Sequence, residues 1–221
     1  MRFLRSAQIR FSFILFGSLF LLPALLAPAL AVAQDQSSPS NEPGPQPPWK
    51  YDGALSAFYQ VTGASNGNFI REDTTESIGG LGSFRRPYRP WFGYELSYGF
   101  TRYSESYNKG VARVQDNVHE FTAAYLLQAP LFHGVAPFVT IGTGMVIFAP
   151  TSTGGGGRSS QVLPVFVYSL GLNRPLLSDR LGIRLQYRSL RYKTPSFNNV
   201  LLDAHTLRTT MEPSIGIYYR F

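Results

Sequence analysis

The chain has 221 residues and no cysteine, which excludes a disulfide scaffold, a thiol nucleophile and a cysteine-ligated zinc site. Apolar residues make up 44% and aromatic residues 14%, whereas charged residues make up only 15%, a low share for a soluble domain. The formal charge of +7 includes no run of lysine and arginine, so nucleic-acid binding is not expected.

The first 33 residues have the three parts of a secretory signal peptide. Three arginines precede a long apolar stretch, and the small residues Ala31 and Ala33 precede the expected cleavage point. An uncleaved membrane anchor is the alternative. Without the three arginines, 17 basic and 13 acidic residues remain, a net charge of +4. Residues 34–49 are rich in Ser, Pro and Gln and predict a tail without a core, so the folded domain is expected to cover residues 50–221.

From residue 50 onward, apolar side chains recur at every second position, which predicts β-strands. Five segments alternate cleanly: 51–61, 92–103, 119–128, 181–190 and 208–221. Three further strands are interrupted by glycine or proline or are apolar on both faces: 77–84, 137–148 and 162–172. Long polar connections (62–75, 104–116, 149–160 and 193–206) alternate with short ones (85–91, 129–135 and 173–180). All the long connections should therefore lie at one end of an antiparallel sheet.

The two faces of these strands differ in a way that favours a barrel in lipid over a soluble sandwich or lipocalin-like barrel. The apolar faces carry no charge through their middles, and the opposite faces combine small residues with charges. Aromatic belts are expected at both membrane interfaces. At the short-turn end the expected belt is Tyr51, Phe84, Trp91, Phe92, Tyr219 and Phe221. At the long-loop end it is Tyr59, Phe100, Tyr103, Phe148 and Tyr192.

With these features and its final IGIYYRF, the domain resembles the small OmpA-like and opacity-protein-like outer-membrane β-barrel superfamily. WFGYELSYGFTR resembles an early membrane strand of these proteins, and APFVTIGTGM resembles the strand after their second periplasmic turn. The resemblance implies an eight-stranded antiparallel up-and-down transmembrane β-barrel in the outer membrane of a Gram-negative-type bacterium, with the termini and the 34–49 tail in the periplasm. It also implies that the barrel-assembly machinery reads the last strand through Ile215, Ile217, Tyr219 and Phe221.

The inward-facing charges predict a network inside the barrel. Eight strands enclose a narrow lumen, and buried charges must be paired. We expect Glu95, Glu120 and Glu212 to pair with Arg184 and Arg188 and to plug the lumen. Asp52 and Arg208 are expected to face the same lumen. A small pore or transport pathway is the alternative.

Catalytic chemistry has little support in the sequence, although an outer-membrane enzyme acting on lipid A is a further alternative. His119 and Glu120 should face opposite sides of their strand, and His205, with Ser196 and Asp203 nearby in sequence, lacks a His-x-Ser spacing. The glycine run at 154–157 lacks the Lys-Ser/Thr of a phosphate loop. No catalytic residue, cofactor or metal is therefore predicted. The expected roles are envelope structure and surface interaction through the long connections, with outer-membrane lipids as neighbours.

Overall fold

The computed structural model describes residues 49–67, 70–108, 112–178, 180–197 and 206–221. The expected signal peptide and nearly all of the expected tail lie outside the described residues. The described residues belong to one unit, Pro45–Phe221. No segment in the described part of the chain forms a helix long and apolar enough to cross a membrane.

Ten strands account for almost all of the described chain. They are β1 (Asp52–Thr62), β2 (Ser65–Gly67), β3 (Ile70–Thr74), β4 (Ser77–Arg89), β5 (Phe92–Tyr107), β6 (Ala112–Gln128), β7 (Ala136–Pro150), β8 (Gln161–Ser178), β9 (Leu181–Lys193) and β10 (Leu207–Arg220). Eight of them follow one another in the antiparallel order β5-β4-β1-β10-β9-β8-β7-β6, and β5 also pairs with β6 to close the ring. Strands β2 and β3 form a short hairpin on the outer end of β5. The predicted eight-stranded up-and-down barrel is confirmed.

The first strand of the chain pairs with the last, and this pairing is one of the eight that complete the ring. Their pairing runs from Asp52–Arg220 to Phe58–Ser214 and resumes in the same register at Val61–Met211. Pro213 lies in the interval, and because proline has no amide hydrogen it cannot donate to the ladder there. The chain end is tied down as well, since the Phe221 carbonyl accepts hydrogen bonds from the Lys50 and Tyr51 amides.

The two faces of the wall follow the alternation that the sequence predicts. Leu55 is 78% exposed and Ile217 60% exposed, while their neighbours Ala54 and Tyr218 are buried. At the short-turn end, the aromatic residues predicted for the belt face outward. At the long-loop end, Tyr59 and Phe100 face outward, but the prediction is wrong for three residues that lie inside the barrel: Tyr103, Phe148 and Tyr192.

Those three rings are inside because each lies at an inward-facing position of its strand, as Tyr103 does with Glu95 and Thr101 on β5. The strands also continue beyond the length needed to cross a bilayer. Strand β5 extends to Tyr107 and β6 begins at Ala112, so much of the predicted 104–116 connection is strand. The inward side chains of these extensions form an apolar core at the long-loop end, which also explains why β8 is apolar on both faces. This core consists of Ile70, Tyr103, Tyr107, Val114, Val118, Val146, Phe148, Leu163, Val165, Val167, Leu190, Tyr192 and Phe197.

Two adjacent glycines in β4 give a direct test of this packing. A Cβ atom on inward-facing Gly79 would lie 2.2 Å from the Phe58 ring and 2.6 Å from the Phe100 carbonyl oxygen, whereas a Cβ on outward-facing Gly80 would meet nothing within 4 Å. We expect Gly79→Ala to lower the free energy of unfolding by about 1–3 kcal/mol because it overpacks the interior. Gly80→Ala should leave it unchanged or slightly raised. Urea unfolding of the two refolded variants measures the difference, and equal midpoints would contradict the packing described here.

Candidate functional site: the buried charges of the barrel interior

The interior nearest the short-turn end is organised around Arg184. Its guanidinium lies 2.6 Å from an Asp52 carboxylate oxygen and also donates to the side chains of Asn173 and Ser83, at 2.9 and 3.1 Å. Arg220, on the closing strand, lies 3.7 Å from the other Asp52 oxygen. These contacts join β9 to β1, β4, β8 and β10, so one buried arginine links five strands of the ring.

A second ion pair lies beside this group. Arg85 on β4 donates to the Glu95 carboxylate at 2.6 Å, and both side chains are almost completely buried. The Arg85 guanidinium also lies over the Phe138 ring, 3.9 Å from its centroid. The arginine is therefore held by a charge on one side and by an aromatic face on the other.

Arg188 occupies the middle of the barrel. One of its terminal nitrogens lies 2.8 Å from Glu212 and 3.3 Å from Glu120, so a single cation faces two carboxylates from strands on different sides of the ring. Glu120 has room to reach the centre because Gly99, its partner on β5, has no side chain: a Cβ there would lie 2.9 Å from a Glu120 carboxylate oxygen. Hydroxyl pairs such as Ser97–Thr122 fill the remaining space at this level.

From Arg188 toward the long-loop end, the inward-facing side chains change from polar to apolar, and a last charged group lies at that end. Arg208 contacts both Glu72, from the β3 hairpin strand, and Glu105, from β5. Its guanidinium rests over the rings of Phe148 and Tyr192, 5.5 and 5.0 Å from their centroids. The apolar core thus forms the floor on which this cluster lies.

Carboxyl groups outnumber cations in this last group. Asp116, completely buried beyond the exposed apolar belt, has no hydrogen-bond partner among the described residues for either carboxylate oxygen. Burial raises its pKa to about 7, and the nearby Glu105 adds to the rise. Burial likewise raises the pKa of Glu72 to about 8, against the opposing effect of Arg208. Both groups hold protons more firmly than they would in water.

All five residues predicted for the charge network face the lumen, but their partners differ in part from the expected ones. Glu120 and Glu212 contact Arg188, whereas Glu95 contacts Arg85, and Arg184 contacts Asp52. Sequence reasoning missed Arg85, Glu72 and Glu105 because it placed them in connections. Arg85 and Glu105 continue the inward alternation of β4 and β5, and that signal would have identified them.

The remaining candidates lie apart from this interior. His119 is on the outer face, with its Nδ1 atom 2.9 Å from the Tyr98 hydroxyl, while Glu120 points inward. Asp203 and His205 lie outside the described residues. Among the residues that the structure describes, no group of three or more His, Asp or Glu side chains has the geometry of a metal site. The residues predicted as an assembly signal, Ile215, Ile217, Tyr219 and Phe221, form one exposed row on β10 and the chain end.

Comparison with solved structures agrees with this architecture. Neisserial surface protein A superposes with a TM-score of 0.56 at 13% identity, over 77% of this chain and 97% of that one. The outer membrane protein OprG from Pseudomonas aeruginosa superposes with a TM-score of 0.54 at 13% identity, over 78% of this chain and 96% of that one. The fold is that of a small outer-membrane β-barrel. No protein-family model and no curated protein matches the chain.

The pairing at Arg188 predicts a large cost when its charge is removed from the barrel. Arg188→Met would leave Glu120 and Glu212 buried without a cation, and we expect the free energy of unfolding to fall by about 3–5 kcal/mol. Arg174→Met is the matched control, because Arg174 is exposed on the outside of β8; its effect should stay within about 0.5 kcal/mol. Urea titrations followed by the gel mobility of the folded barrel would measure both. A loss at Arg188 no greater than that at Arg174 would show that the ion pairs do not stabilise the barrel.

The long-loop cluster predicts that the barrel is less stable at high pH. Because the pKa of Glu72 is raised from 4.5 to about 8, the folded protein holds a proton that the unfolded chain releases. This stabilisation is complete below the unfolded pKa and is lost as the pH rises through about 8. We expect the unfolding free energy to decline between about pH 5 and about pH 9, and Glu72→Gln to flatten that decline. The exposed neighbour Asp73 provides a control: if Asp73→Asn flattens the decline as much as Glu72→Gln does, the assignment to Glu72 is wrong.

Proposed function

We propose that the protein is an integral outer-membrane β-barrel with a structural and surface-interaction role, and that its own side chains close its lumen. The observation that carries the proposal is the series of buried charged and apolar side chains along the interior. Arg184, Arg188 and Arg208 follow one another along the barrel, each held by buried carboxylates, and the apolar core lies between the last two.

The outer surface supports the membrane location. Charged side chains in the middle of the lipid-facing wall would cost about 2–4 kcal/mol each, and the large exposed side chains there are apolar or aromatic, such as Leu55, Phe121 and Met145. The barrel also satisfies the backbone groups of all its strands by closing on itself, as lipid requires. With the short-turn end in the periplasm, the orientation that the family resemblance implies, the long-loop end faces the outside of the cell.

The surface role rests on the connections grouped at the long-loop end. The sequence predicts four long connections at this end, 62–75, 104–116, 149–160 and 193–206, although much of 104–116 is strand; connections grouped on a rigid wall commonly carry binding. The β2–β3 hairpin makes one of them ordered and charged, with Arg71 and Asp73 exposed on it. Shortening the connections one at a time and measuring adhesion of cells that express the protein would test this role. If no shortened variant changes adhesion, the protein has no surface-interaction role.

The closed lumen is tested by electrical recording. We expect the purified barrel, reconstituted into a planar bilayer, to show no steady conductance, because buried ion pairs and the apolar core leave no continuous water path. A variant that opens the interior provides the control. Arg208→Ala together with Phe148→Ala removes large side chains from the interior near the long-loop end and should increase ion leakage. A steady open conductance of the unmodified barrel would instead support the pore alternative.

A further inference from the structure

The lipid-facing wall contains a groove where β1 and β4 lie side by side. Its volume is about 860 Å³, and its floor includes Gly53 and Gly82. Its sides are formed by apolar side chains that project from the wall: Leu55, Leu96, Tyr98, Phe121, Ile217 and Tyr219. The depression is open on its outer side, and its apolar side chains border whatever lies in it.

The fold itself does not require glycine at the floor of this groove. A Cβ on Gly53 would come no closer than 3.8 Å to Phe221, and a Cβ on Gly82 no closer than 3.8 Å to Leu55; both are ordinary contacts. By contrast, a Cβ on inward-facing Gly216 would lie 2.3 Å from a backbone oxygen of β1. Glycine weakens a strand interior. The outward glycines therefore shape a surface and do not relieve a steric conflict.

A positive charge lies at one end of the groove. Where the groove reaches the short-turn end, the rings of Tyr51, Phe84 and Phe221 form a cluster, with Tyr51 and Phe84 stacked 5.4 Å apart. The exposed Arg86 lies just beyond, with its guanidinium 6.0 Å from the Tyr51 ring. A cation next to an interfacial aromatic cluster is placed where the phosphate of a membrane lipid lies.

We propose that this groove binds a phospholipid, with one acyl chain lying over Gly53 and Gly82 and the phosphate against Arg86. The charge at one end and the apolar length beyond it match a molecule that has an anionic head and a hydrocarbon chain. The position of Arg86 assigns the lipid to the membrane leaflet at the short-turn end. A second copy of the barrel fits the groove less well, because its convex wall would reach the rim before the floor.

The test measures how many lipid molecules the purified barrel retains. Dioleoyl phosphatidylglycerol is added to the barrel in detergent micelles, and native mass spectrometry records the one-to-one adduct as the collision energy rises. We expect the wild-type barrel to keep one lipid after the others are lost. Gly82→Leu should lower the retained fraction about tenfold, since filling the floor displaces roughly two methylene groups of the chain. Arg86→Gln should lower it as well, by removing the contact to the phosphate.

Matched controls separate the groove from the wall as a whole. Thr143→Leu adds the same side chain at an outward-facing position of β7, and Arg174→Gln removes an exposed arginine from β8. Both variants should retain the lipid as the wild type does. Gly53→Leu is a second filling variant, because Gly53 lines the groove and a Cβ there would come no closer than 3.8 Å to another atom. Equal retention by Gly82→Leu, Gly53→Leu and wild type would overturn the proposal. A dimer that Gly82→Leu abolishes would also overturn it, as would lipopolysaccharide bound in place of phosphatidylglycerol.

This inference rests on the proposed membrane location, and the same samples distinguish the failure of one from the failure of the other. A folded outer-membrane barrel migrates differently on a gel when it is not heated. If the unheated protein shows no shift, the membrane proposal fails. If the shift is present in all variants and the lipid is retained equally in all of them, only the groove assignment fails.

Discussion

The requirement that every backbone amide and carbonyl find a partner governs this structure. In lipid, the backbone groups of an unpaired strand edge cannot form hydrogen bonds with water, so a sheet placed there must close into a barrel. Here closure depends on β1 and β10, whose pairing extends to the last residue: the Phe221 amide donates to the Tyr51 carbonyl, and its own carbonyl accepts two amides in return. Once the ring is closed, the alternation of each strand directs its side chains either to the outer face of the wall or into the lumen.

Closure with only eight strands determines how the lumen is filled. The lumen is too narrow to hold charged side chains together with the water that would solvate them. Near the short-turn end, its inward-facing residues are also too polar to pack as an apolar core. Each central arginine therefore reaches across the ring to carboxylates on other strands, and small residues such as Gly99 provide the room for this. Farther along, where the strands rise past the exposed apolar belt, the interior resembles that of a soluble barrel, with Phe148 and Leu190 completely buried.

The sequence alone predicts which side of the wall a residue faces far better than which residue it contacts. The recurrence of apolar residues at every second position placed Leu55 and Ile217 outside and Glu120 and Arg188 inside, as the structure has them. The belt prediction failed at Tyr103 because closeness to the expected membrane interface was put before the alternation, which places Tyr103 on the same inward face as Glu95. The partner of Glu95 could not be predicted, because it depends on the lengths of neighbouring side chains as well as on which face of the strand each residue occupies. Glu72 reaches the lumen only through the position of the β2–β3 hairpin, which depends on tertiary packing.

The interior charges are distributed unevenly along the barrel. Among the described residues near the short-turn end, Arg85, Arg184 and Arg220 face Asp52 and Glu95. At the long-loop end, Arg208 is the arginine that contacts Glu72 and Glu105 within the described chain, and Asp116 is buried nearby. Three ionised carboxylates around one guanidinium would repel each other and draw in water. The raised pKa values of Glu72 and Asp116 relieve this, since a protonated carboxyl needs no counter-charge. Charge pairing thus balances the interior near the short-turn end, and at the long-loop end retained protons reduce the number of charges that must be paired.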